Sequence, residues 1–205
     1  MSNSCVITNE EGWYKKALDT DLARPKFAIM NPEITYTLPD YQTQCGCADI
    51  MMHTMERYFV LEDTMEITDK IAQDVMKNVM KYAKILKKDP ENYEARAEIM
   101  WCGSLSHNGL TGCGICGGDW ATHLIEHELG GMFDVAHRAG LAAVWGSWAR
   151  YVMDEKPERF AQFAVDVMGV EESDDVKSTA LKGIEAVEEF YRMIEMPTNM
   201  KELGI

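Results

Sequence analysis

The histidines of this chain fall into a pattern that suits a metal site. Asp49 and His53 are four residues apart, His123 and His127 are four residues apart, and His137 follows after a pair of glycines. Four residues correspond to roughly 400° around an α-helix, so the two side chains of each pair project from nearly the same face. A carboxylate combined with two or three imidazoles suits zinc or iron(II) better than calcium, which prefers oxygen ligands.

Spacing alone leaves two assignments of the metal ligands open. The segment His-Leu-Ile-Glu-His matches the H-x-x-E-H motif of inverted zinc peptidases, in which His123 and His127 would bind zinc. Glu126 would then exchange a proton with the attacking water, and a downstream glutamate would be the third ligand. The competing assignment leaves His127 beside the substrate and takes four other residues as ligands: Asp49, His53, His123 and His137.

The remaining histidine and the cysteines do not point to a second site. His107 has no partner at helical spacing, so a structural role is expected. Cys113 and Cys116 form a single CxxC in a glycine-rich loop, which lacks the second CxxC of a zinc ribbon and the strand-to-helix turn of a thioredoxin-like site. The six cysteines are expected to be reduced, small, buried or half-exposed thiols.

Composition limits the classes of protein to consider. The chain has 205 residues, of which 46% are hydrophobic, and this is enough for one well-packed core. Its net charge of −14 repels nucleic acid and anionic membrane surfaces, so neither is an expected partner. No apolar run approaches the ~18 residues that a membrane-spanning helix needs. The N-terminus lacks the features of a signal peptide, so a cytoplasmic location is expected.

Most of the chain after the first forty residues is predicted to be helical. Residues 1–40 contain three prolines and are predicted to be irregular, with one possible short strand at Phe27–Met30. A helix from Tyr41 to Phe59 would carry Asp49 and His53. A long amphipathic helix is predicted next, preceded by Thr64, Thr68 and Asp69.

The second half of the chain carries clear signals for helix boundaries. Pro90 is expected in the first turn of a helix. After a glycine-rich loop, Asp119 is predicted to cap the helix that carries His123 and His127. Gly130 and Gly131 are expected to end that helix. The remaining predicted helices cover residues 136–153, 157–168 and 173–197.

Several segments resemble the iron-containing alcohol dehydrogenases, and most closely the butanol dehydrogenase branch of that family. The resemblance extends from about Ser4 to Gly204, with the most specific segments at 24–32, 49–58, 118–130 and 136–137. In that family the ion is bound by an Asp and a His four residues apart and by two histidines fourteen apart. These positions correspond to Asp49, His53, His123 and His137.

The resemblance implies a fold and an activity. It implies an all-α, multi-helix metal-binding domain over residues 1–205, after a short irregular N-terminal segment. Members of the family are considerably longer and begin with an α/β nucleotide-binding domain, to which nothing in this chain is similar. We therefore expect the catalytic half of an NAD(P)-dependent dehydrogenase that interconverts primary alcohols such as butanol and their aldehydes. The expected cofactors are Fe2+ or Zn2+, and NAD(P)H bound by the other domain. A homo-oligomer is also expected.

The resemblance also implies roles for residues around the metal. His127 matches a family histidine near substrate and nicotinamide, and it is the predicted proton relay. Glu126 would lie at the surface or between domains. The family usually has Gly or Ala where this chain has Arg138, which would narrow the substrate pocket or extend into solvent. A third hypothesis is a helical interaction domain that has lost both metal and catalysis.

Overall fold

The fold is a bundle of helices preceded by a small hairpin. The computed structural model of the chain describes residues 3–61 and 65–205, so the predicted helix-start residue Thr64 lies outside the described part. The all-α prediction is confirmed there. The helices are α1 (Asp40–Tyr58), α2 (Glu66–Leu86), α3 (Tyr93–His107), α4 (Ala121–Phe133), α5 (His137–Val152), α6 (Pro157–Asp166), α7 (Val176–Met193) and α8 (Met200–Leu203). Among the described residues, no helix is both long and apolar enough to span a bilayer.

The prediction of an irregular N-terminal segment is wrong for its first part. Strands β1 (Ser4–Asn9) and β2 (Tyr14–Asp19) form an antiparallel hairpin, with Ser4 opposite Asp19 and Asn9 opposite Tyr14. The turn between them contains Gly12 at a φ of 89°, a conformation that glycine adopts without strain. The prediction of a strand at Phe27–Met30 is wrong, since these residues have no regular secondary structure and do not join the β1–β2 sheet.

Helix α1 lies in the centre of the core and carries the first pair of candidate ligands. Most of its apolar side chains, including Met51, Met52 and Met55, are buried, and α1 packs against α2, α3 and α5. The amphipathic prediction for α2 is confirmed, since Val75, Val79 and other residues of one face enter the same core. This position holds Asp49 and His53 on a helix that is fixed on several sides.

Helix α3 begins later than predicted. Pro90 precedes the helix, and the N-cap is Asn92, whose side-chain oxygen accepts a hydrogen bond of 3.0 Å from the backbone N–H of Ala95. The carbonyl of Pro90 instead accepts a bond of 2.7 Å from Arg96 Nε. An asparagine cap satisfies a free helix N–H, which a preceding proline does not do.

Helix α4 does not end at Gly130 and Gly131 as predicted, but continues to Phe133. A Cβ atom on Gly131 would lie 2.6 Å from the carbonyl oxygen of Trp13. These glycines therefore allow the hairpin to approach the helix closely, and tertiary packing outweighs their tendency to end helices.

The start of α4 also differs slightly from the prediction. Trp120, at a φ of 64°, is the N-cap residue, and Asp119 precedes it. The Asp119 carboxylate still accepts a hydrogen bond of 2.9 Å from the backbone N–H of Ala121. The helices predicted after His137 form with boundaries within a few residues of those expected.

Candidate metal centre

Three of the four predicted ligands meet in one buried cluster. Asp49 and His53 lie one turn apart on α1, and His123 projects from the first turns of α4. Asp49 Oδ1 is 3.5 Å from His53 Nε2 and 3.9 Å from His123 Nε2. One ligand atom from each residue lies within 4.8 Å of the other two. This spacing is small enough for a single ion to contact all three.

The fourth predicted ligand, His137, lies next to this cluster at the first residue of α5. Its ring centroid is 5.5 Å from that of His123 and 5.5 Å from that of His127. Nδ1 of His137 is hydrogen-bonded to Glu126, and these two residues form a second group of possible ligands with His127. The structure therefore places His137 between the three-residue cluster and His127.

The hydrogen bonding of the cluster is incomplete without an ion. Three buried atoms of this cluster have no hydrogen-bond partner within the described part of the chain: Asp49 Oδ1, His53 Nδ1 and His123 Nε2. Buried polar atoms in folded proteins are rarely left unpaired, because desolvation costs about 1–3 kcal/mol for each. A carboxylate oxygen and imidazole nitrogens are suitable donors for zinc or iron(II). The residues present therefore fit the metal that the resemblance implies.

Two buried glutamates orient two of the histidines. Glu56 Oε1 accepts hydrogen bonds from the backbone N–H of His123, at 3.1 Å, and from its ring Nδ1, at 3.0 Å. Glu126 makes the equivalent contact with Nδ1 of His137. A carboxylate on Nδ1 leaves the lone pair on Nε2, the usual arrangement behind metal-binding histidines. The prediction that Glu126 lies at the surface or between domains is wrong, since it is 0% exposed.

His107 lies at the site although no spacing rule pointed to it. Its ring centroid is 3.8 Å from that of His53, and its Nδ1 is 3.0 Å from the carbonyl oxygen of Gly103. Trp120 lies on the other side of His53, at 5.4 Å between centroids. The glycine-rich loop from α3 to α4 brings both rings to the site, which is a tertiary effect that local periodicity does not reveal.

Arg138 makes a contact that neither expectation included. Its Nε donates a hydrogen bond of 3.0 Å to Asp49 Oδ2, and its side chain is 44% exposed. Arg138 thus fixes one carboxylate oxygen while the other faces the imidazoles.

The electrostatics of the site favour an ionised carboxylate among imidazoles. Burial raises the pKa of Asp49, but interactions with His123, His53 and Arg138 lower this pKa by a larger amount. The net pKa of Asp49 is therefore well below its ordinary value. Burial lowers the pKa of His53 to about 2. Burial also lowers the pKa of His123, but the carboxylates of Asp49 and Glu56 raise it more, and the net shift is upward. His53 is therefore neutral at pH 7 and ready to ligate.

A cavity of about 580 Å³ adjoins these histidines, and the β-hairpin forms one of its walls. His127 is half-buried in it, and its pKa is lowered by burial and then by the neighbouring His137 and Lys15. The side chains at the metal end of the cavity are His53, His107, Trp120, His123, His127 and His137.

The cysteines match the expectation of buried thiols only in part, because the two CxxC cysteines are more exposed than predicted. Cys45, Cys47 and Cys102 are buried, whereas Cys113 and Cys116 are exposed. Burial raises the pKa of Cys47 to about 12. Among the described residues, no group of three possible ligands includes a thiol.

Comparison with known families tests the resemblance independently. The family model for "Fe-containing alcohol dehydrogenase family, C-terminal" matches residues 43–205, which include every candidate ligand. The chain belongs to the iron-containing alcohol dehydrogenase family. Nothing in this match supports the zinc-peptidase hypothesis.

Curated relatives within the family are dehydrogenases and reductases. The chain is 35% identical over 206 residues to NADH-dependent butanol dehydrogenase A of Clostridium acetobutylicum, covering 100% of this chain and 53% of that protein. It is 33% identical over 201 residues to the NADPH-dependent aldehyde reductase YqhD of Escherichia coli, covering 98% of this chain and 51% of that protein. The chain thus spans about half the length of these relatives.

Solved structures of family members have the same fold over this region. The NADH-dependent butanol dehydrogenase A of Thermotoga maritima superposes with a TM-score of 0.96 at 36% identity, covering 100% of this chain and 51% of that one. The Escherichia coli YqhD structure also gives a TM-score of 0.96, at 30% identity, over 52% of its own chain.

Proposed function

We propose that this chain is the metal-binding half of an NAD(P)-dependent alcohol dehydrogenase that interconverts primary alcohols, such as butanol, and their aldehydes. The observation that carries the proposal is the buried cluster of Asp49, His53 and His123, in which one possible ligand atom from each residue lies within 4.8 Å of the other two. Each of the three residues also has a buried polar atom that lacks a hydrogen-bond partner among the described residues. The relatives named above act on alcohols or aldehydes, which supports this class of substrate.

Four residues would hold the ion, which is Fe2+ or Zn2+: Asp49, His53, His123 and His137. When bound, the metal would supply Lewis-acid polarisation of the alcohol or aldehyde oxygen. The chain contributes the geometry around it. Glu56 keeps the proton of His123 on Nδ1, and Arg138 holds Asp49 Oδ2 so that Oδ1 faces inward.

His127 is the residue that we assign to proton transfer. It lies in the cavity beside His137, at 5.5 Å between ring centroids, and is half-buried rather than enclosed. Burial lowers its pKa, so at neutral pH it is unprotonated and able to accept a proton from an alcohol. Its exposure gives that proton a route to solvent.

The nicotinamide would be bound by residues outside this half. In the described part of the chain the two strands form one antiparallel hairpin, without the parallel sheet and glycine-rich turn of a dinucleotide-binding domain. Hydride transfer needs donor and acceptor held at close range. We therefore propose that these 205 residues bind metal without turning over alcohol, and that they associate with the nucleotide-binding half and with further copies.

The geometry argues against the zinc-peptidase alternative. The rings of His123 and His127 are 6.5 Å apart between centroids, and His123 pairs with Asp49 and His53 instead. The proposed peptidase base, Glu126, is enclosed and hydrogen-bonded to His137, so it does not face water between the two histidines.

Metal titration and an activity assay test the proposal together. We expect the anaerobically purified chain to bind about one Fe2+ or Zn2+ at the four proposed ligands, and to show no NAD(P)H oxidation with butyraldehyde. Binding of no ion would contradict the metal site and favour a helical interaction domain. Clear butyraldehyde reduction by this chain alone would contradict the placement of the nicotinamide site outside it.

A further inference from the structure

A buried carboxylate links the N-terminal hairpin to one of the proposed ligands. Glu126 is 0% exposed, and its Oε2 contacts both Nδ1 of His137 and Nζ of Lys15, the latter at 3.4 Å. Lys15 lies on β2 with its side chain only 14% exposed. A buried carboxylate is costly unless a cation or several donors compensate its charge. Lys15 supplies that compensation from a different part of the fold.

The helices leave a slot that fits the Glu126 side chain. A Cβ atom on Gly140 would lie 2.7 Å from Glu126 Cγ, and a Cβ atom on Gly130 would lie 2.9 Å from Glu126 Oε1 and 2.8 Å from Lys15 Nζ. Any larger residue at either position would displace the carboxylate or the ammonium group. The two glycines, one on α4 and one on α5, thus explain how an ion pair is enclosed here.

The hairpin is seated firmly enough to hold Lys15 in place. The carbonyl of Trp13 lies against Gly131 of α4, where a Cβ atom would approach it to 2.6 Å. Trp13 and Lys15 therefore contact α4 at Gly131 and Gly130, about one helical turn after Glu126. The hairpin contributes to the metal centre although it offers no ligand itself.

We propose that Lys15 and Glu126 are positioning residues for His137, an inference that rests on the metal site proposed above. The Glu126 carboxylate keeps the imidazole proton on Nδ1 and leaves Nε2 available to the ion, and Lys15 anchors the carboxylate in place. Glu126 is not a ligand in this scheme. The unpartnered Oε1 of Glu126 lies inside the glycine slot beside Lys15, where a divalent cation would be repelled.

The first test reads the tautomer of His137 in the metal-free chain by 15N NMR. We expect the Nδ1–H form in the unaltered chain and a mixture with the Nε2–H form in Glu126→Gln and Lys15→Met. Retention of the Nδ1–H form in Glu126→Gln would overturn the proposal. Because no metal is present, this reading does not depend on whether the proposed metal site is correct.

The second test measures the dissociation constant for Zn2+. We expect Glu126→Gln to bind roughly 10–100-fold more weakly and Lys15→Met to weaken binding by a smaller factor, as for other residues behind metal ligands. Glu128→Gln and Lys16→Met, exposed neighbours on the same elements, are the matched controls and should bind as the unaltered chain does. Tighter binding by Lys15→Met would overturn the proposal, because it would mean that Glu126 itself ligates and that Lys15 competes with the ion. Failure of the unaltered chain to bind Zn2+ would instead contradict the proposed metal site.

Discussion

Two buried aspartates on neighbouring helices, Asp49 and Asp69, have opposite surroundings. Asp69 is paired on both oxygens with the guanidinium of Arg159, at 2.5 Å and 2.7 Å. Arg159 Nε also donates a hydrogen bond of 3.0 Å to the backbone carbonyl of Tyr58. The Cζ atom of Arg159 lies 3.5 Å from the centroid of the Tyr58 ring. Asp49 has one oxygen paired with Arg138 and one that faces two imidazoles without a hydrogen bond.

The difference separates a structural ion pair from a binding site. Asp69 and Arg159 satisfy each other, so their arrangement is explained by the folded chain alone. Asp49 Oδ1 lies 3.9 Å from His123 Nε2, and neither atom has a hydrogen-bond partner among the described residues. Folded proteins rarely leave buried polar atoms unpaired unless something binds there. Burial is nearly the same, 7% exposed for Asp49 and 8% for Asp69, so it does not distinguish the two.

The largest expected effect comes from breaking the satisfied pair. Arg159→Met leaves the Asp69 carboxylate buried without a counter-charge, and we expect a loss of about 3–5 kcal/mol in the free energy of unfolding. Urea denaturation measures it. Lys177→Met removes an exposed lysine that pairs with the exposed Asp154, and it should cost at most about 1 kcal/mol. Equal losses in the two variants would contradict the structural role of Asp69.

A smaller effect on stability should follow from altering the unsatisfied carboxylate. Asp49→Asn removes a charge whose partner Arg138 remains partly solvated, so we expect little loss in the metal-free chain. At Zn2+ of 100 times the dissociation constant, the unaltered chain should gain about 2.7 kcal/mol and the variant should gain none at the same concentration. Unfolding with and without Zn2+ measures both. An equal gain in the variant would show that Asp49 is not a ligand.

The smallest effect should come from Arg138, which touches the unsatisfied site from outside. The positive charge of Arg138 repels a metal ion, but solvent around its exposed side chain screens this repulsion. We expect Arg138→Met to bind Zn2+ about three- to tenfold more tightly at low salt, with a smaller difference at high salt. Weaker binding at all salt concentrations would mean that holding Asp49 Oδ2 matters more than charge.

The sequence was sufficient for the long helices but not for α8, nor for the contacts of the helices with the N-terminal segment. Periodicity and caps predicted α1, α2 and α5–α7, because those signals are local. The hairpin was missed, and Gly130–Gly131 were misinterpreted as a helix end, because the reason for those glycines is the approach of Trp13, which is distant in sequence.

For the candidate site, spacing identified the ligands but not the residues behind them. The i,i+4 pair Asp49–His53 follows from helix geometry, and the family resemblance selected His123 and His137 over the peptidase alternative. Glu56 and His107 were not predicted because their contacts, with His123 of α4 and His53 of α1, form between helices that are distant in sequence. Their residue types have ordinary structural uses, so no local pattern distinguished them.

Metal content of His137→Ala beside His127→Ala tests the central claim most directly. Each variant removes one imidazole from neighbouring positions, 5.5 Å apart between ring centroids, so the two are matched in size and surroundings. The dehydrogenase-type site predicts that His137→Ala loses the bound Fe2+ or Zn2+ and that His127→Ala retains it. Loss of metal in His127→Ala with retention in His137→Ala would contradict that assignment of the ligands.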